Sequence, residues 1–454
     1  MVITVELRRA APVLAAVVLA AATSAACSGA GGGGGAADGN AINVLMVNNP
    51  QMLDIQKLTE ENFTKQTGIK VNYTVLPEND VRDKISQEFS SQAGQYDIAS
   101  ISNYEVPFYA KNGWLAPLDD FVAKDTAFDQ NDVLPSMRQS LTAEDGKLYA
   151  EPFYGESSFL MYRKDVLDAK SLTVPDNPTW DQVADLAAKA DGAQPGMKGI
   201  CLRGQPGWGQ VFAPLTTVVN TFGGTWFGKD WTPQVNAPEF KQATKFYVDL
   251  VRAHGEAGAP QAGFAECLNN MEQGKVAMWY DATSAAGLLN AADSPVAGKL
   301  GFAQAPVSKT KSAGWLYTWA WGVQQASKKH DAAWKFISWA SGRDYEKLVG
   351  GKLGWSKVPD GKRASTYENQ DYLKATPSAR QTQQAITAAD PRNPGTQPRP
   401  TIGIQFVDIP EFTDLGTQVS QQVSSAIAGS TTVDAALDGG QQLAEKVAAK
   451  YRAK

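Results

Sequence analysis

Residues 42–102, "INVLMVNNPQMLDIQKLTEENFTKQTGIKVNYTVLPENDVRDKISQEFSSQAGQYDIASIS", switch repeatedly between two kinds of patterning. "INVLMV" is a continuous apolar run fit for a buried strand, and Asn48, Asn49 and Pro50 stop it. "LTEENFTKQTG" predicts a helix with Thr59 as N-cap, Glu60, Glu61 and Asn62 in its first turn, and Gly68 as its terminator. "IKVNYTVL" alternates as a second strand, "DVRDKISQEFSSQAG" predicts the next helix, and "YDIASIS" is a short third strand. Strand, helix, strand, helix, strand implies right-handed crossovers onto a parallel sheet, so this part of the chain is an α/β lobe.

Further along, "KLYAEPFYGESSFLMYRKDVL" is extended and aromatic-rich, and "TWDQVADLAAKAD" opens a second helical set capped by Thr179. "KVAMWYDAT" and "LGFAQAPVS" are expected strands. "GWLYTWAWG", residues 314–322, puts a large ring at every second position, Trp315, Tyr317, Trp319 and Trp321. A period of two directs all four to one face of a strand. "DPRNPGTQPRPTIGIQ" is too rich in Pro to be regular, and a helix pair is expected from about Pro410 to Lys450.

At 454 residues the chain is long for a single core, and its 43% hydrophobic and 20% charged composition is that of an ordinary globular protein. A net charge of −5 excludes a broad nucleic-acid surface. Only His254 and His330 could supply imidazole chemistry, and both are expected at the surface. The first 26 residues read as an export signal: Arg8 and Arg9, an apolar run, then small residues. "SAAC" resembles a bacterial lipobox, which would make Cys27 a lipid anchor on the outer face of the membrane. Ser24 stands where that motif usually has Leu, so plain cleavage after Ala26 is the alternative. Residues 27–41 then form a Gly-rich tether. With Cys27 so used, Cys201 and Cys267 are expected to pair as a disulfide, worth roughly 4 kcal/mol in the chain-entropy account.

"NVLMVNNPQM", "TGIKVNYTVLPEN", "YDIASISNYEVPFYAKNGWLAPLDDF", "EPFYGESSFLMYRKDVL", "GICLRGQPGWGQ", "MWYDAT" and "IGIQFVDIPEF" together resemble the extracellular solute-binding proteins of carbohydrate ABC importers, particularly the sorbitol/mannitol (polyol) branch. The likeness runs in order from about Asn43 to the C-terminus. It implies a two-lobed periplasmic-binding-protein fold of α/β class, with hinge strands and a ligand cleft between discontinuous lobes. It also implies a monomer that binds a small polyol or sugar and delivers it to an ABC permease, with no cofactor, no metal and no catalysis. The expected lobes are 42–151 plus 307–356, and 152–306 plus 357–454. The crossings are expected near Tyr149–Gly155, Phe302–Val307 and Gly354–Pro359.

A polyol is hard to bind because water already satisfies its hydroxyls; each must be met by a well-placed and preferably charged partner, while its C–H faces suit flat rings. Candidates of both kinds lie at expected strand ends, where open α/β sheets bind ligands. They are Asn48, Asn49, Tyr104, Glu105, Tyr154, Glu156, Arg203, Trp208, Trp226, Asp281 and Trp319. The resemblance aligns Glu156 with a carboxylate that contacts ligand in maltose-type binders. Two other functions compete. Paired carboxylates among rings also suit a secreted carbohydrate-active hydrolase, and aromatic rows also cage a cationic solute.

Overall fold

A computed structural model describes residues 40–453. In chain order the first strands are β1 (Ala41–Val47), β2 (Lys70–Leu76), β3 (Ile98–Ser102), β4 (Ala150–Glu156) and β5 (Ser158–Arg163). They are followed by β6 (Lys198–Cys201), β7 (Val276–Ala282), β8 (Leu300–Gln304) and β9 (Tyr317–Val323). Five build one sheet in the order β2-β1-β3-β9-β4, and four build a second in the order β6-β7-β5-β8. β1 is parallel to both β2 and β3, as the strand-helix alternation requires, while β9 enters antiparallel between β3 and β4. β1 is buried except at Asn43, and β3 is buried throughout, Ser100 and Ser102 included, because helices cover this part of the sheet.

The first helix begins earlier than the sequence predicts. It starts at Pro50, whose fixed φ and missing N–H suit the first helical position, and Asn49 caps it by accepting from the Met52 N–H at 3.0 Å. Thr59 is therefore interior, its hydroxyl donating to the Ile55 carbonyl at 2.6 Å. The helix continues through a π turn, Glu60–Thr64, and stops as expected at Gly68, whose φ is +71°. Thr179 does cap the helix Trp180–Ala190, in a reciprocal box with Gln182. The final helices are Phe412–Ile427 and Val433–Arg452.

The crossings fall later than expected. β4 stays in the first sheet through Glu156, which pairs with Tyr317, and β5 opens the second sheet at Ser158, so Ser157 alone lies between them. On the return, Val307 still bridges Thr179 and the Lys309 N–H still donates to the Thr221 carbonyl, so the chain regains the first sheet between Thr310 and Tyr317. Beyond Gly354, Asp360 accepts from the Gly155 N–H and Lys362 from the Leu134 N–H, which keeps this segment on the first lobe. The boundaries at 151, 306 and 356 are all displaced because backbone pairing continues past the residues where composition changes. Two hinge segments touch at bare backbone: a Cβ at Gly361 would come 1.9 Å from the Gly155 carbonyl oxygen.

Cys201 and Cys267 form the expected disulfide, joining the end of β6 to the helix Phe264–Glu272. Cys27 and the expected export signal lie outside the described residues.

Candidate functional site

A cavity of about 430 Å³ lies between the two sheets. Asn48 and Asn49 reach it from the end of β1, Glu78, Asn79 and Arg82 from the helix Glu78–Ser91, and Tyr154 and Glu156 from β4. The second lobe contributes Arg203, Gln205, Gln210, Phe264 and Glu266. Trp315, Tyr317 and Trp319 form one aromatic wall, and Gln405 and Phe406 come from the irregular C-terminal segment. The row of rings thus divides: three face the cavity, while Trp321 is fully buried against Phe153 and Phe336, with ring centroids 5.1 and 5.6 Å away.

The polar groups of the cavity are held by protein partners. Asn49 donates to the Tyr154 hydroxyl at 2.8 Å, which fixes both while Asn49 still caps its helix. Glu156 accepts from the Ser284 hydroxyl at 2.7 Å, and its other oxygen has no donor among the described residues. Burial pushes this carboxyl up to about 8. At neutral pH it can therefore donate as well as accept, which suits a hydroxyl that does both.

Asp281 is fully buried and does not reach the cavity. It grips Arg203 with two bonds of 2.8 and 2.6 Å and also accepts from the Trp279 indole at 3.0 Å. Its oxygens are spent on protein donors, so its place is to hold Arg203 at the cavity wall rather than to meet a hydroxyl. Glu105, likewise off the wall, accepts from the Ser102 N–H, the Ser102 hydroxyl and, at 3.4 Å, Arg82. Burial raises its pKa and Arg82 opposes that shift. Tyr104 donates to the Ile409 carbonyl at 3.1 Å, and its ring stands 4.6 Å from that of Trp208. Trp208 lies behind Arg82, whose guanidinium carbon is 4.2 Å from the ring centroid. Trp226 is not brought to the site; it packs on Phe212, Phe412 and Phe240 in the second lobe's core. Glycines beside it in "FGG" signal a close chain approach, but to the core helix Pro238–His254 rather than to a ligand.

Of the cavity residues that sequence reasoning missed, Arg82 is the most deeply engaged. It is 5% exposed, donates to Glu78 and to the Tyr317 hydroxyl at 2.9 and 2.8 Å, and lies 4.9 Å from the Trp319 ring centroid. Its signal was available: in "DVRDKISQEF" it stands three and seven positions before Ile85 and Phe89, on the buried stripe of the helix. A charge on that stripe needs buried partners.

Other hollows carry less chemistry. One of about 1060 Å³ opens beside β8 and is lined by exposed Lys311, Lys374 and Arg380, with Phe302 as its one ring. Another of about 570 Å³ backs onto the site, sharing Tyr317, Gln405 and Phe406. Glu256 lies 3.3 Å from the Cys201 sulfur, but the two cysteines are bonded to each other and leave one carboxylate, which is no metal site.

Comparison with known proteins agrees with this architecture. A mannitol-binding protein of Pseudomonas aeruginosa is 40% identical over 403 residues, 88% of this chain and 91% of the relative. The crystal structure of an ABC transporter solute-binding protein from Agrobacterium vitis, with bound D-mannitol, superposes with a TM-score of 0.88 at 45% identity, covering 90% of this chain and 99% of that one. An erythritol/L-threitol-binding protein of Mycolicibacterium smegmatis is 26% identical over 330 residues, 68% of each chain. The family model for bacterial extracellular solute-binding proteins matches residues 49–347. That places the chain outside the cytoplasm, and among the described residues no helix is long and apolar enough to cross a membrane. With lobes, cleft and relatives in agreement, the chain is a binding protein and not a hydrolase, and it belongs to the bacterial extracellular solute-binding protein family.

Proposed function

We propose that the protein captures D-mannitol or a closely related linear polyol in the interlobe cavity and delivers it to the permease of an ABC importer. The observation that carries this reading is the composition of the wall. Trp315, Tyr317 and Trp319 offer flat faces to C–H groups, while Asn48, Asn49, Tyr154, Glu156 and Arg203 offer fixed partners to hydroxyls. The D-mannitol in the 45%-identical Agrobacterium vitis structure supports the same reading. Asp281 and Glu105 serve it indirectly by orienting Arg203 and Arg82. In this reading Cys27 carries the lipid that keeps the protein at the outer membrane face, and the protein works as a monomer.

The test is a thermal-denaturation screen of the purified protein with D-mannitol, D-sorbitol, ribitol, D-glucose and choline. At a hundredfold excess over its dissociation constant, a true ligand adds about 2.7 kcal/mol to stability. A rise with the alditols that exceeds that with glucose and choline is expected. No response to D-mannitol at millimolar concentration, alongside a clear response to choline or glucose, refutes the reading.

A further inference from the structure

We propose that the loop "GQPGWG", residues 204–209, is a notch that receives the helix Glu78–Ser91 from the opposite lobe, and that Arg82 seated in it is a positioning residue setting ligand affinity. The inference deepens the polyol reading and relies on it for its ligand probe. Two glycines of the loop leave room that side chains of the other lobe occupy. A Cβ at Gly207 would lie 2.5 Å from the Asn79 side-chain oxygen, and one at Gly209 would lie 2.7 Å from Arg82 Nε and 3.0 Å from its Cζ. Contacts of under 3 Å at both positions mean that a side chain at either glycine would have to displace Asn79 or Arg82, and Arg82 is held in place by Glu78, Glu105 and Tyr317. Asn79 also donates to the Pro206 carbonyl at 3.1 Å, and the Trp208 ring lies against the Arg82 guanidinium.

Each side of this contact is fixed within its own lobe. Arg82 is tied to Glu78, Glu105 and Tyr317, so its charge is already neutralised and its hydrogen bonds already made in the first lobe. What remains for the second lobe is its flat face, the part that stacks on an indole with little further loss of hydration. The loop is anchored by the Gly207 N–H donating to Ser420 at 2.7 Å and by Arg203 donating to the Gly209 carbonyl at 3.2 Å. Arg203 lines the solute cavity, so the notch and the ligand site share one support. Because the notch engages only when the lobes meet, it biases the protein toward the closed arrangement without any solute. A solute then has less of the closing free energy to supply, and its apparent affinity rises by the population of the competent state.

The experiment compares the unaltered protein with Gly209→Ala, Arg82→Ala and the double variant. Spin labels at Glu61→Cys and Asp249→Cys, both exposed and on opposite lobes, report the interlobe distance by pulsed electron resonance, with and without D-mannitol. Calorimetry gives D-mannitol affinity. Each single variant is expected to lengthen the ligand-free distance and to weaken D-mannitol on the order of tenfold. The added methyl and the guanidinium compete for one space, so the double variant should be no weaker than Arg82→Ala alone. Interlobe distances in Gly209→Ala that match those of the unaltered protein overturn the proposal, as do costs that simply add in the double variant. If the unaltered protein fails to bind D-mannitol, the polyol reading falls, while the ligand-free distances still decide the notch.

Discussion

Replacing Asp281 by Ala removes the counter-ion of a guanidinium that is 4% exposed and, among the described residues, has no other carboxylate in bonding contact. Breaking a buried pair from one side costs about 3–5 kcal/mol, because the surviving charge keeps its desolvation cost and loses its attraction. For a folded part of roughly 400 residues, unfolding entropy near 2 cal/mol/K per residue converts this to a fall of roughly 3–6 °C in Tm. Binding should suffer separately, since Arg203 loses the two bonds that aim it at the cavity. The control is Arg203→Met with Asp281→Leu, which removes both charges and should recover most of the stability while leaving D-mannitol binding impaired. Calorimetric melting and isothermal titration on the three variants give both quantities. A Tm within about 1 °C of the parent for Asp281→Ala, with unchanged D-mannitol affinity, refutes the reasoning.

Other expectations follow from the same geometry. Trp319→Ala should weaken D-mannitol at least tenfold, whereas Trp321→Ala should cost about 3–5 kcal/mol of stability in chemical denaturation and leave the affinity of the folded fraction unaltered. Removing both Cys201 and Cys267 should lower stability by roughly 4 kcal/mol and weaken the solute, because the bridge ties Arg203's segment to the helix carrying Phe264 and Glu266. Burial holds Glu151 and Glu156 at about 8 in the folded chain against an ordinary 4.5, so between those values the native state keeps protons that the unfolded chain has released. Their contribution is full below about 4.5 and is lost as pH rises to about 8, by at most about 5 kcal/mol for each group. Glu151→Gln should therefore gain stability over the parent as pH rises from 5 to 8; a constant difference in Tm across that range would contradict the assignment.

The parallel trio β1, β2 and β3 was legible from residues 42–102 because strand and helix patterning alternate there, whereas the antiparallel entry of β9 between β3 and β4 was not. Helix limits were less legible: Thr59 has the chemistry of a cap, but Asn49 followed by Pro50 forms a better one ten residues earlier, and local sequence does not rank the two. Of the residues picked out at strand ends, the structure brings Asn48, Asn49, Tyr154, Glu156 and Arg203 to the cavity and keeps Asp281 and Glu105 off its wall, since a carboxylate that faces a cavity and one that holds an arginine have the same sequence signature. Trp226 failed because its glycines serve a core contact. On the wall from Glu78 to Arg82 only the charge of Arg82 on a buried stripe was legible; what it faces was not, since helix patterning describes how a helix packs on its own lobe and says nothing of what a second lobe brings to it.

Ser157 has a mechanical consequence. With one residue separating β4 from β5, the strand pair acts as a fulcrum, and atoms beside a fulcrum sweep through short arcs while distant ones travel far. Glu156 adjoins the pivot and Tyr154 is three residues away, so these two form a nearly stationary dock at which a solute can first settle. Gln205 and Phe264, carried by the second lobe, would on this view close on that dock afterwards. Affinity lost at the stationary end should therefore appear in how fast a solute is captured, and affinity lost at the travelling end in how long it is kept.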